Sequence, residues 1–154
     1  MQFSAQNEIN APIEAAFDVL VDFDTIEESG RQRRVEISRL DKLTETAAGM
    51  SWDLGFKFRG KRRELIVDLT EFVRPERLKF SGVSTAFSIE VGVELTALDA
   101  GRCKVKTTLE VTPRSLGARL MVQSAKLGKS ALNRKFDKRM AQFAKTIAAR
   151  AATA

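Results

Sequence analysis

The side chains able to do chemistry in this 154-residue chain are few, and their types exclude more reactions than they suggest. There is no histidine and no tyrosine. Without them no Ser-His or Cys-His nucleophile pair, His-containing metal site or phenolic acid can be built. A single cysteine, Cys103, rules out thiolate metal clusters and an intramolecular disulfide, and it fits a reducing compartment. It reads more simply as a small core residue than as a reactive thiol. No GxGxxG or phosphate-loop pattern occurs, so neither a metal nor a nucleotide cofactor is expected.

Catalysis would have to rest on a buried carboxylate or arginine with a shifted pKa. Asp53, Arg59, Arg63 and Glu64 lie near one turn. Alternation puts Asp53 on the wet face of its strand, however, and Arg63 with Glu64 reads equally as a surface pair, so no catalytic residue is assigned. Thr107 is the clearest polar residue in a run of inward positions, where a hydroxyl either orients a ligand or bonds a neighbouring carbonyl. Two basic clusters, Arg59-Lys61-Arg62-Arg63 and Arg31-Arg33-Arg34, offer guanidinium groups to an acidic headgroup at a pocket mouth or are solvated turns.

The elements that must position these groups follow from periodicity. Phe3, Ala5, Asn7 and Ile9 alternate as a first strand. The run Asn10-Ala11-Pro12-Ile13-Glu14 offers a cap acceptor and an early proline for a short helix carrying Ile13, Ala16, Phe17, Leu20 and Val21. A second short helical turn over Asp24 to Gly30, closed by Gly30, is expected. From Arg33 to Val111 the period is two. Val35 and Ile37 form a short strand, and Met50, Trp52, Leu54, Phe56 and Phe58 make the strongest alternating run, closed by a tight turn at Gly60. Strands around Leu65-Val67-Leu69, Leu78-Phe80, Phe87 to Leu95 and Cys103 to Val111 follow, with Gly82 expected to bend its strand. Turns of hairpin length imply antiparallel neighbours.

The last quarter, Ser115 to about Arg150, is free of proline and rich in helix formers, which predicts one helix of about 54 Å at roughly 1.5 Å per residue. Ala118, Met121, Val122, Ala125, Leu132, Phe136, Met140, Phe143 and Ile147 share one stripe about 100° wide. Lys129 falls inside that stripe and Arg139 at its edge. The stripe is bulky after Leu132 and small before it, which points to a cavity against the first half or to close helix–sheet approach. Leu116, Leu120, Leu127 and Ala131 form a second stripe nearly opposite the first. Three readings of it stand: a dimer interface, a membrane-facing strip flanked by Arg119, Lys126 and Lys129, or a kink near Gly128 that turns the leucines inward to the cavity mouth. The inward reading is preferred.

Charge is uneven. Residues 113 to 154 carry 10 Lys and Arg against Asp137 alone, so the net charge of +6 belongs to this helix. An anionic membrane surface or an acidic partner fits it, as does a solvated face. Nucleic acid is disfavoured because no aromatic residues interleave with the basic ones. The N-terminus lacks a secretory pattern and no segment is apolar enough to span a membrane, so a cytoplasmic, single-domain protein over 1–154 is expected.

An antiparallel sheet with one apolar face needs a cover, and only the terminal helix is large enough. This order resembles the helix-grip fold of the SRPBCC superfamily, which includes START lipid-transfer domains, the birch-pollen allergen group and polyketide cyclase/dehydrase-like proteins. The resemblance is carried by Ile9 to Glu14 with Phe17, Leu20 and Asp22, by Gly49-Met50-Ser51-Trp52, by Arg74-Pro75-Glu76-Arg77-Leu78, and by Phe136 to Phe143. It implies an α+β fold in which a curved antiparallel sheet of about seven strands wraps a long C-terminal helix, with one or two short helices after the first strand. It also implies a hydrophobic cavity between sheet and helix. Combined with the inward positions, the expected lining is Trp52, Leu54, Phe56, Val67, Phe80, Phe87, Ile89, Thr107, Leu120, Met121 and Ala125. The expected function is binding, transport or sequestration of a small hydrophobic or amphipathic ligand. A cyclase/dehydratase-like enzyme without metal or nucleotide, and an adaptor using the basic helix, are the alternatives.

Overall fold

The computed structural model describes residues 1–153. Seven strands form one sheet: β1 (Gln2–Ile9), β2 (Glu36–Arg39), β3 (Ser51–Phe58), β4 (Lys61–Val73), β5 (Arg77–Val83), β6 (Phe87–Asp99) and β7 (Arg102–Pro113). Their spatial order is β1-β7-β6-β5-β4-β3-β2, and every neighbouring pair is antiparallel. Helices α1 (Ile13–Leu20) and α2 (Phe23–Gln32) follow β1, and α3 (Leu116–Leu127) and α4 (Lys129–Thr153) close the chain. No helix among the described residues is long and apolar enough to cross a membrane.

Alternation places Phe3, Ile9, Trp52, Leu69, Leu78, Val93, Leu95, Cys103 and Val105 on one face of the sheet, all buried. Against them pack Phe17 and Leu20 of α1 and Ala144 and Ile147 of α4. Phe17 meets Phe72 edge-on at 5.6 Å, and the Arg74 guanidinium covers the Phe17 ring at 4.8 Å while pairing with Asp18 at 2.6 Å. Cys103 is fully buried, and that burial pushes its thiol pKa up, away from the reactive thiolate.

Several local expectations are corrected. Asn10 caps nothing: Pro12 occupies the position before α1, which has no side-chain cap. Asp22 instead caps α2, accepting from the Thr25 amide at 3.4 Å and its hydroxyl at 2.7 Å. Gly30 does not stop α2 but lies inside it, because a Cβ there would come within 2.7 Å of Ile37 Cδ1; its missing side chain lets α2 settle on β2. No register shift occurs at Gly82. Pairing runs unbroken through it, and the ladder instead shifts register between Leu69 and Glu71 and between Ala97 and Asp99. Phe58 lies at the end of β3, where the sheet is no longer covered, and is 52% exposed. The Arg59–Gly60 turn has positive φ at both residues, 52° and 76°, as a two-residue hairpin of this twist requires.

The C-terminal segment is two helices. Gly128 terminates α3, its amide bonding back to the Ala125 carbonyl, and α4 starts at the next residue. The break does not turn the leucines inward: Leu116 is 75%, Leu120 58% and Leu127 92% exposed. Lys129 also stays on the inner side. Its ammonium lies 3.9 Å from the Phe3 ring centroid and donates to the Gln2 carbonyl and the Asn133 side chain, both at 2.7 Å.

Candidate functional site

An apolar cavity of about 730 Å³ lies between the sheet, α1, α2 and the second half of α4. Its sheet wall comprises Trp52, Leu54, Val67, Phe80, Val91, Val93 and Thr107. Helix α2 reaches it because Phe23, Ile26, Glu27 and Gly30 recur at three-and-four spacing along one face. The Phe23 ring meets Trp52 at 5.1 Å and 61°, and Phe80 at 6.2 Å and 88°, so three aromatic side chains are locked edge to face at one end. Met140, Phe143 and Ile147 complete the apolar wall from α4.

The polar groups of this cavity are few. Thr107 is buried in β7 and makes no side-chain hydrogen bond among the described residues. Glu27 is the single carboxylate among the described lining residues, only 7% exposed, with the Arg31 guanidinium 3.7 Å away. Three arginines, Arg33 at the end of α2 and Arg139 and Arg150 on α4, also line it, and none forms an ion pair within 4.0 Å among the described residues. Arg139 and Arg150 are eleven residues apart, about three turns, so they share a face of α4 at two heights. An apolar chamber that offers, among the described residues, one carboxylate, one free hydroxyl and guanidinium groups without an ion pair suits an amphipathic guest.

Of the residues expected to line a cavity, Trp52, Leu54, Val67, Phe80 and Thr107 come together here. Phe87, Leu120, Met121 and Ala125 gather elsewhere, in a second cavity of about 660 Å³ between α3 and the sheet, with Met1, Arg59 and Val111. Phe56 lies in a groove at the β2 edge beside Arg33, Arg34 and Arg62. Ile89 lines none of these; it packs where Gly82 leaves room for it. The larger apolar cavity thus faces the bulky half of the terminal segment, and the small half fronts the second one. Arg63 and Glu64 are not a surface pair: Glu64 faces Arg62 at 3.9 Å, while Arg63 buries its Nε without a hydrogen-bond partner.

Sequence comparison adds to this geometry. The family model for polyketide cyclase/dehydrase and lipid transport proteins matches residues 1–148. The chain belongs to that family. No curated protein matches it in sequence. Among solved structures, TTHA0849 from Thermus thermophilus is similar with a TM-score of 0.67 at 14% identity, covering 99% of this chain and 98% of that one. The Zhui aromatase/cyclase from Streptomyces sp. R1128 gives 0.60 at 14%, covering 87% and 89%. A START superfamily protein from Mycobacterium smegmatis gives 0.58 at 12%, covering 87% and 95%. At such identities the likeness establishes the helix-grip fold of this family member, and no residue's role.

Proposed function

We propose that the protein binds, and so carries or sequesters, a small amphipathic molecule in the cavity between the sheet and α4. The observation that carries this reading is the 730 Å³ chamber whose wall is apolar apart from Glu27, Thr107, Thr146 and three arginines. Burying an apolar body there is favourable by about 25 cal/mol per Å² before ordering costs, while Thr107 and a guanidinium fix its orientation. Native mass spectrometry of freshly purified protein, followed by extraction, tests it. A discrete adduct of one small amphipathic compound, lost in Val67→Phe, is the expected result. A clean apo mass, with no rise in Tm from fatty acids, sterols or aromatic polyketides, overturns it.

Glu27 favours a second reading, a cyclase or dehydratase. In such a site Glu27 takes a proton from the carbon beside a carbonyl, the neighbouring hydroxyl departs, and the proton leaves with it as water, regenerating the carboxylate. A pH-dependent turnover abolished in Glu27→Gln, with ligand retention unchanged, distinguishes an enzyme from a carrier.

A further inference from the structure

Helix α3 leaves its most apolar side chains in solvent. Leu116, Leu120 and Leu127 fall within about 40° of one another on the helical wheel and are 75%, 58% and 92% exposed. Only Ala118 of this helix is buried. Beside the stripe stand Arg119 and Lys126, and no acidic residue occurs anywhere between Arg114 and Phe136. The tip of the β3–β4 hairpin extends the same surface: Arg59 lines one groove with Leu120 and Met121, its guanidinium lies 5.4 Å from the Phe58 ring centroid, and Phe58 is 52% exposed. Lys57 and Lys61 flank that tip.

We propose that α3 and the β3–β4 hairpin tip dock on an anionic lipid surface. Leucines along one side of a helix, basic residues beside them and an adjacent exposed Phe-Arg pair match a surface that offers hydrocarbon below and negative charge above. Charge selects this occupant over a second copy of the chain. A two-fold interface built on α3 would set Arg119, Lys126 and Arg59 of both copies against one another with no carboxylate on the patch to offset them, whereas anionic headgroups neutralise them. This surface is separate from the Glu27–Thr107 cavity, so the proposal stands whether or not that cavity holds a ligand.

Co-sedimentation of the intact protein with phosphatidylglycerol–phosphatidylcholine vesicles and with phosphatidylcholine vesicles tests it. Binding to the anionic vesicles is expected to exceed that to neutral ones by roughly tenfold or more, and to weaken with salt. The triple variant Leu116→Ser, Leu120→Ser, Leu127→Ser, whose exposed positions leave the core intact, is expected to lose at least roughly tenfold in binding. Arg119→Gln with Lys126→Gln should bind more weakly and with a flatter salt dependence. Absence of vesicle binding at low salt overturns the proposal, as does binding that the leucine variant retains. Sedimentation equilibrium showing a dimer that the leucine variant abolishes, without vesicle binding, assigns the patch to a second copy and overturns it equally.

Discussion

The Lys129 ammonium and the Phe3 ring, 3.9 Å apart, tie the start of α4 to the first strand at the point where the helix begins anew after Gly128. The same ammonium donates to the Gln2 carbonyl at 2.7 Å, so one side chain links β1 and α4 through a ring face and a backbone oxygen. Lys129→Met keeps the stem and removes both contacts, together with the hydrogen bond to Asn133. A loss of about 1 kcal/mol is expected, lowering Tm by roughly 2–4 °C in a domain of this size. Phe3→Leu should cost more because the ring also packs on Phe136 at 5.5 Å. A double-mutant cycle in urea should give a coupling of about 0.5 kcal/mol or more; strict additivity would show that the ring and the charge do not interact.

Two glycines with similar crowding should respond differently to alanine. A Cβ at Gly82 would lie 2.6 Å from Ile89 Cγ1 and 3.3 Å from Leu65 Cδ1 on the covered face. Gly82→Ala is therefore expected to destabilise by about 1–3 kcal/mol, since Ile89 Cγ1 is a branch atom close to its own backbone and cannot swing away as a side-chain tip can. At Gly55 the nearest atoms, Arg62 Nη2 at 2.6 Å and Glu36 Oε2 at 3.1 Å, are the ends of flexible, exposed side chains. They can swing into water, so Gly55→Ala should cost under about 1 kcal/mol, chiefly the lost ion pair. Equal changes in denaturant midpoint for the two variants would refute this distinction.

The fold was legible where a period repeats over many residues. The two-residue alternation from Met50 to Leu54 and from Cys103 to Val111 marks the covered face of the sheet, and the three-and-four spacing of Leu132 to Ile147 marks the packed face of α4. The cavity was less legible, because its position depends on where α2 docks. The apolar face of α2 is only four positions long and includes an acid and a glycine, so Glu27 gave no signal of a site and Gly30 read as a stop until the contact with Ile37 gave it its reason. Arg139 did leave a trace, at the edge of the helical stripe. For Phe56 and Phe58 alternation misled, since it continues to the end of β3 while the cover above the sheet does not.

Asp41 should make stability depend on pH in the acid range. Its carboxylate accepts from Arg39 at 2.5 and 2.8 Å, from the Ser51 amide at 2.8 Å and from the Leu43 amide at 2.9 Å. The Arg39 hydrogen bonds foremost, then the amide of Ser51, hold its pKa well below the usual carboxylate range. Because the folded value is depressed, the ionised group stabilises the fold fully above the unfolded pKa, near 3.9, and that contribution is lost as pH falls toward the folded value. Asp41→Asn is thus expected to be less stable than the parent at pH 5 to 7, with the gap closing below about pH 4. A gap that stays constant down to about pH 2 would assign the effect to hydrogen-bond geometry instead of charge.

The two cavities make opposite predictions for substitutions that fill them. Val67 stands in the wall of the 730 Å³ chamber, opposite Trp52 across β3 and β4, so a phenylalanine there projects into space that a ligand would occupy. Filling an existing apolar void adds contacts without displacing packed neighbours, so Val67→Phe should hold Tm within about 1–2 °C of the parent or raise it. Ala125→Phe fills the second cavity beneath α3 in the same way. If the guest resides in the first chamber, Val67→Phe abolishes the co-purified adduct while Ala125→Phe leaves it intact. The reverse pattern, an adduct lost only in Ala125→Phe, would move the binding site under α3 and take Glu27, Thr107 and the arginines of α4 out of the ligand's reach.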